Sequence, residues 1–200
     1  MPDGQDVPYE INISLFDALK GTIAEGADEH QVARFLCAHT MVLALEGIPG
    51  IYIHSMLATE SDQDLAEETG RARSINRHRW DEGELRAKLD NPESSHARVF
   101  AELKRRIQIR TQQEAFHPNA TQYTLHFSKE IFAFWRESPS RNQSIFALHN
   151  ISSEPQIVSL LELNLIATEV WRDALSDTLY EDLAATIELP AYGAVWITNA

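Results

Sequence analysis

Residues 47–55 read Gly-Ile-Pro-Gly-Ile-Tyr-Ile-His-Ser and follow a nearly all-apolar stretch that ends at Leu45. That stretch predicts a long helix, because Asp28 and Gln31 form a capping-box pattern before it and the Gly and Pro of residues 47–55 stop it. Residues 50–55 show no alternation of apolar and polar side chains, which is typical of a strand covered on both faces in a parallel sheet. A buried helix followed by a buried strand indicates an α/β barrel or a doubly wound fold.

Two further helices are predicted around this unit. Residues 14–19 form a short one. Residues 94–114 form a longer one, in which apolar residues recur at helical spacing and the basic run 104–106 marks the solvated side. Residues 56–93 between them are polar and rich in turn formers, and long excursions of this kind are usually functional loops.

From Pro118 onward the sequence predicts strands. Short runs of β-branched and aromatic residues are separated by turn residues, which indicates an antiparallel sheet or sandwich. The boundary between the two parts is expected near residues 117–121. The predicted strands are Gln122–Phe127, Ile131–Glu137, Ser144–Ile151, Gln156–Leu163 and Ala194–Thr198. The aromatic residues assigned to this sandwich core are Phe132, Phe134, Trp135, Phe146, Trp171 and Trp196.

The composition excludes several classes of protein. The net charge of −13, from 17 basic and 30 acidic side chains, argues against binding to nucleic acid or to an acidic membrane surface. No apolar run reaches the ~20 residues of a membrane-spanning helix, and the N-terminus is acidic where a signal peptide begins basic. The lone Cys37 excludes a disulfide framework, and no His pairing has the spacing of a zinc site. We therefore expect a cytoplasmic protein without metal, nucleic acid or membrane.

The first part of the chain is too small to close on itself. One strand between two long helices cannot bury its own faces, and a complete (β/α)8 barrel takes ~250 residues. We therefore expect residues 1–117 to be part of something larger.

Four motifs resemble one family. They are Val7–Asn12 (Val-Pro-Tyr-Glu-Ile-Asn), Gly47–Tyr52 (Gly-Ile-Pro-Gly-Ile-Tyr), Arg73–Arg77 (Arg-Ser-Ile-Asn-Arg) and Leu189–Trp196 (Leu-Pro-Ala-Tyr-Gly-Ala-Val-Trp). In this order and at this spacing, the sequence resembles the last third of sucrose phosphorylase and its relatives in glycoside hydrolase family 13. The resemblance implies an α/β plus β fold. Residues 1–117 would be the C-terminal end of a (β/α)8 barrel, with its last helix, strand and helix, and residues 118–200 an antiparallel, sandwich-like β-domain.

The resemblance also implies an activity. Sucrose phosphorylase-like enzymes transfer glucosyl between an α-glucoside and phosphate with retention, and their catalytic carboxylates precede the part that this chain matches. We therefore expect the isolated chain to be inactive, with no cofactor, inorganic phosphate as co-substrate, a sugar substrate and a separate N-terminal barrel chain as partner. The alternatives are an amylase-like α-glucoside hydrolase and a non-catalytic carbohydrate-binding or regulatory module.

Four arginines, Arg71, Arg73, Arg77 and Arg79, lie within nine residues of an acidic chain. Guanidinium groups at this density need anions or hydroxyls to bind. In the family, the first Arg of the Arg-x-Ile-Asn-Arg motif grips the glucosyl unit, which implies this role for Arg73; the Gly70-Arg71 pair leaves Arg71 as the alternative. Ordinary surface ion pairs would instead link the arginines to Asp81, Glu82 and Glu84.

Three more residues are candidates for substrate binding. Tyr9 and Glu10 match a Tyr-Gln pair of sucrose phosphorylase on a loop that contacts acceptor sugar and phosphate. Glu in place of Gln disfavours sucrose as the substrate. The sequence of this motif is closer to that of phosphorylases of sucrose 6'-phosphate or glucosylglycerate, whose acceptors are anionic. His54 would lie at the carboxyl end of the last barrel strand, on the catalytic rim.

Overall fold

The computed structural model describes residues 11–199. Its helices are α1 (Leu15–Ala18), α2 (Gln31–Ala44), α3 (Ile53–Met56), α4 (Gln63–Thr69), α5 (Glu82–Asp90) and α6 (Ser95–Thr111), with 3-10 turns at Ala72–Asn76, Glu114–Phe116 and Leu160–Leu163. Its strands are β1 (Gly21–Thr22), β2 (Gly26–Ala27), β3 (Thr121–His126), β4 (Ile131–Glu137), β5 (Ser144–Asn150), β6 (Gln156–Ser159), β7 (Trp171–Asp173), β8 (Leu179–Tyr180), β9 (Thr186–Leu189) and β10 (Ala194–Thr198).

Helices α2 and α6 pack side by side, as their apolar periodicity predicts. Phe35 of α2 and Val99 and Leu103 of α6 are fully buried in their contact. The capping box before α2 is wrong, because His30 is the N-cap and makes no side-chain cap hydrogen bond. The Asp28 carboxylate accepts hydrogen bonds from the His30 amide and from Arg34, and Gln31 Nε2 donates to the Phe16 carbonyl.

The strand predicted at residues 50–55 is also wrong for this chain. Tyr52 has extended backbone dihedrals, but Ile53–Met56 forms the short helix α3. A strand needs a neighbour to pair its N–H and C=O groups, and none of the strands in residues 11–199 pairs with this segment. His54 therefore lies in a helix and not at the end of a strand.

The polar excursion at residues 56–93 is largely helical rather than a loop. Asp62 is the N-cap of helix α4, where its carboxylate accepts from the Leu65 amide at 2.8 Å, and Gly70, with φ of 61°, is the C-cap. Asp81 is the N-cap of helix α5, where its carboxylate accepts from the Glu84 amide at 3.0 Å. Asp and Gly at these two ends follow the ordinary preferences of helix caps.

The β-part is a six-stranded antiparallel sheet with strand order β3-β4-β5-β10-β7-β8, covered on one face by the β6–β9 pair. Side chains alternate between its two faces. On β10, Ile197 faces the β6–β9 layer and Trp196 faces helices α2 and α6. This is the predicted sandwich-like arrangement. The predicted strand Gln156–Leu163 stops at Ser159, however, and Phe132 is 37% exposed rather than in the core.

The helices and the sheet share one apolar interface. Leu43 of α2, Phe116, Phe134 and Trp196 are buried together there. The change from helices to strands falls between Phe116 and Thr121. Throughout residues 11–199, no helix is long and apolar enough to cross a membrane.

Candidate functional site

Buried polar contacts hold the arginine segment, residues 71–79, against the ends of α4. Ser74 and Ile75 are buried, and the Asp62 amide donates to the Ile75 carbonyl at 2.9 Å. His78 Nδ1 hydrogen-bonds to Asp62 Oδ2 at 2.7 Å. The Leu65 amide and the His78 ring hold the pKa of the Asp62 carboxyl below its usual value, so this carboxylate stays charged and fixes the base of the segment.

Three of the four motifs meet at one small pocket of about 280 Å³, which we call the motif pocket. The Tyr52 hydroxyl donates to the Asn76 carbonyl at 2.9 Å, and Asn76 Nδ2 donates to the Ile13 carbonyl at 3.1 Å. These bonds tie together segments that are far apart in the sequence. The pocket is lined by Ile11, Asn12, Tyr52, Arg73, Asn76 and Arg77.

A wider, open pocket of about 830 Å³ adjoins it, which we call the arginine pocket. Arg73 and Arg77 line both pockets, and Arg71 and Arg79 line this one alone. The remaining lining residues are Leu65, Thr69, Ala72 and Ser74.

For Arg71, Arg77 and Arg79, the ion pairs with Asp81, Glu82 and Glu84 do not form in the part of the chain that the structure describes. Asp81 caps α5, Glu82 pairs with Arg86 at 2.8 Å, and Glu84 lies 4.0 Å from Lys88. Within residues 11–199, the guanidinium groups of Arg71, Arg77 and Arg79 make no ion pair or hydrogen bond. Guanidinium groups crowded around one concavity repel one another, and an anion bound there relieves this repulsion.

His54 lies behind the motif pocket. Its Nδ1 is 3.1 Å from Thr59 Oγ1, and its ring centroid is 5.1 Å from that of Tyr52. Burial, and secondarily the neighbouring His78, lower the pKa of His54, which favours the neutral ring at pH 7. Tyr9 and Glu10 lie outside the described residues.

The structure thus brings Arg73, Arg77 and Arg71 together and places His54 one layer behind. Sequence reasoning missed Tyr52 and Asn76 as site residues. Both stand in the quoted motifs, and their place in these motifs is the signal that could have found them.

The described residues that line the two pockets supply groups suited to binding. Its side chains are hydrogen-bond donors suited to hydroxyl and anionic oxygens. Among residues 11–199, no Asp or Glu lines the motif pocket or the arginine pocket. Retaining glycosyl transfer needs two carboxylates ~5 Å apart. Across the same residues, no group of three His, Cys, Asp or Glu side chains is placed to hold a metal ion.

Comparison with known proteins confirms the resemblance to the sucrose phosphorylase group. The chain is 39% identical over 165 residues to glucosylglycerate phosphorylase of Allomeiothermus silvanus, covering 82% of this chain and 29% of that protein. It is 31% identical to glucosylglycerate phosphorylase of Escherichia coli, covering 98% of this chain and 33% of the relative. Identity to sucrose phosphorylase of Bifidobacterium adolescentis is 26%, covering 88% and 31%.

The chain is therefore similar, over most of its own length, to glucosylglycerate and sucrose phosphorylases. It spans about a third of the length of the curated relatives it matches. No family model matches the chain.

Solved structures of amylases share this fold. The crystal structure of AmyP E221Q with maltotriose superposes with a TM-score of 0.67 at 14% identity, covering 90% of this chain and 37% of that one. The α-amylase of Geobacillus thermoleovorans superposes with a TM-score of 0.62 at 21% identity, covering 84% and 33%.

Proposed function

We propose that this chain is the substrate-binding, C-terminal third of an α-glucoside phosphorylase. The complete enzyme would transfer glucosyl with retention between phosphate and sucrose, sucrose 6'-phosphate or glucosylglycerate, giving glucose 1-phosphate. The observation that carries this proposal is the meeting of three family motifs at one pocket lined by arginine and amide side chains. The similarity to glucosylglycerate phosphorylases favours an acceptor with a carboxylate.

Each site residue has a role in this proposal. Arg73 contacts the glucosyl unit, because it is the first Arg of the Arg-x-Ile-Asn-Arg motif, and Arg77 and Arg71 bind phosphate or the anionic acceptor. Tyr52 and Asn76 hold these arginines in position, because their side chains donate hydrogen bonds to backbone carbonyls. Tyr9 and Glu10 would contact acceptor sugar and phosphate, and His54 would support Tyr52 through the contact between their rings.

The same proposal assigns residues 1–117 to the end of a (β/α)8 barrel and residues 118–200 to the β-domain that follows it. In this assignment α2 and α6 are the last two barrel helices.

Exposed apolar side chains mark where a partner polypeptide would attach. Ile11, Leu15, Tyr52 and Ile53 are 86%, 49%, 52% and 57% exposed. Ile11 and Tyr52 line the motif pocket, and Leu15 and Tyr52 line a second pocket of about 240 Å³ that His54 also lines. Contiguous apolar surface of this kind is typical of an interface. A polypeptide that carries the other barrel strands would cover it and bring the two catalytic carboxylates to the arginines.

Anion binding tests the site in the isolated chain. Inorganic phosphate, titrated while the arginine Nε–H signals are followed by NMR, should shift those of the arginine pocket saturably. Arg77→Gln should abolish the effect, whereas Arg86→Gln should not, since Arg86 is an exposed arginine on α5. A titration without saturable shifts at the arginine pocket contradicts the proposal.

An activity assay tests the expected lack of catalysis. The purified chain, incubated with sucrose, sucrose 6'-phosphate or glucosylglycerate plus phosphate, should release no glucose 1-phosphate. Release above background would show that the chain has its own catalytic groups. Saturable binding of neutral sugars with no response to phosphate would favour a carbohydrate-binding module instead.

A further inference from the structure

The fourth motif, Leu189–Trp196, lies in the β-part and contributes no residue to either pocket. Its centre is a rigid turn. The backbone of Tyr192 has a φ of 54°. This left-handed conformation is unfavourable for a residue other than glycine and persists only where the surrounding structure holds it. Asn150 Nδ2 donates to the carbonyls of Leu189 and Pro190 at 3.1 and 2.9 Å. The turn therefore holds the Tyr192 side chain in one place.

Tyr192 is joined to helix α2 through Arg34. The guanidinium carbon of Arg34 lies 4.4 Å from the Tyr192 ring centroid, and its Nη2 donates to the Tyr192 hydroxyl at 3.0 Å. The same group donates to Asp28 Oδ2 at 2.6 Å, and Nη1 donates to the Leu19 carbonyl at 2.8 Å. Arg34 is 8% exposed. A planar guanidinium can satisfy these partners together, and a lysine ammonium cannot reproduce its fork.

Helix α1 connects this contact to the residues that support the arginine segment. Leu19 is its C-cap, and the Asp17 carboxylate of α1 accepts from the Ser61 amide at 2.6 Å. The Ser14 amide, at the start of α1, donates to Ser61 Oγ at 2.9 Å. Ser61 directly precedes Asp62, which holds His78 and the base of the arginine segment.

We propose that Tyr192 and Arg34 are positioning residues for the arginine pocket. By fixing α1, they fix residues 61–62 and so the spacing of the arginines that would bind an anion. The β-part thus contributes to the site without touching substrate. The inference rests on the proposed function in that its ligand is phosphate or another small oxyanion.

Phosphate affinity in matched variants tests the proposal. Tyr192→Phe removes the hydroxyl and keeps the ring, and Tyr192→Ala removes both. Between about twofold and thirtyfold weaker phosphate binding is expected, the range of coupling through packed networks, with Ala more affected than Phe. The control is Arg105→Gln, because Arg105 also joins a helix to the β-part, through the Leu175 carbonyl at 2.6 Å, but has no contact with α1. The control should keep wild-type affinity.

Amide hydrogen exchange at Ser61 and Asp62 gives a second readout that needs no ligand. Exchange there should accelerate in Tyr192→Ala and not in Arg105→Gln at matched global stability. If the wild type binds no phosphate, the proposed function fails, and exchange alone decides the positioning role. If phosphate binds, an unchanged phosphate affinity in Tyr192→Ala overturns the proposal. If phosphate does not bind, an unchanged exchange rate at Ser61 and Asp62 overturns it. An effect of Arg105→Gln equal to that of Tyr192→Ala also overturns it.

Discussion

His149 makes the stability of the chain depend on pH. The residue lies on β5 with 0% exposure, stacked on Phe134 at 5.7 Å, and its Nδ1 is 3.1 Å from the Phe132 carbonyl. Burial lowers the pKa of His149 to about 4, whereas an unfolded histidine titrates near 6.5. As pH falls below ~6.5, the unfolded chain therefore binds a proton that the folded chain does not. The free energy of unfolding should fall by about 2 kcal/mol between pH 7 and pH 5 from this residue alone.

Urea unfolding followed by tryptophan fluorescence at pH 7, 6 and 5 measures this loss. His149→Gln keeps a side-chain donor and removes the titration, so its stability should fall about 2 kcal/mol less than that of the wild type over this range. His39, whose pKa burial also lowers, acts equally in both proteins. His126→Gln, at an exposed position on β3, should behave as the wild type. Equal pH dependence in wild type and His149→Gln would refute the reasoning. If the variant does not fold, the NMR titration of the His149 ring decides, with a midpoint near 6.5 as the contradicting result.

Other parts of the structure give three further predictions. Gly193→Ala should destabilise by about 1–3 kcal/mol, because the new Cβ would lie 2.7 Å from Pro190 Cδ, whereas Gly50→Ala has nothing within 4 Å and should be nearly neutral in the same urea assay. Asn150→Ala should cost about 1–3 kcal/mol, since it removes the side-chain hydrogen bonds that Asn150 Nδ2 donates to the carbonyls of Leu189 and Pro190; a loss under about 0.5 kcal/mol would count against that role. Cys37 is 2% exposed, and burial raises the pKa of its thiol to about 12, so a thiol reagent should modify it only at the rate of unfolding, and fast native-state labelling would contradict this.

Much of the β-part could be predicted because its strands have strong local signals. The bounds of β4 and β10 match the prediction at both ends, since aromatic and β-branched residues fill them and turn residues flank them. Strands β7 and β8 have three and two residues, too few for a periodic pattern. These two strands are defined by pairing instead, since β7 pairs with β10 and β8 pairs with β7.

Residues 50–55 show the opposite failure. Their composition is that of a strand, but strand formation depends on a neighbour, and no local pattern supplies one. Arg106 was assigned to a solvated helix side and is instead mostly buried, where it donates to the Leu36 carbonyl and to Thr40. Charge alone did not reveal that a guanidinium can pair with the backbone of a neighbouring helix.

The arginines of the site could be proposed from their density in an acidic chain. Tyr52 and Asn76 could not, because their role comes from a hydrogen bond between segments 24 residues apart. Tyr52 and Asn76 stand in family motifs, but the motifs do not indicate the hydrogen bond between them. The structure adds the contacts that join three motifs at one pocket and place the fourth at a distance.

Restored turnover tests the central claim most directly. The chain is mixed with the N-terminal two-thirds of the Allomeiothermus silvanus glucosylglycerate phosphorylase, and glucose 1-phosphate is measured with glucosylglycerate and phosphate. Phosphorolysis should appear only when both parts are mixed, and not with either part by itself. Its rate should fall at least about tenfold when the chain carries Arg73→Ala. Ile53→Glu should prevent assembly, and Ile157→Glu, a comparably exposed site on β6, should not. Failure to assemble, assembly without glucose 1-phosphate, or turnover indifferent to Arg73 would contradict the account.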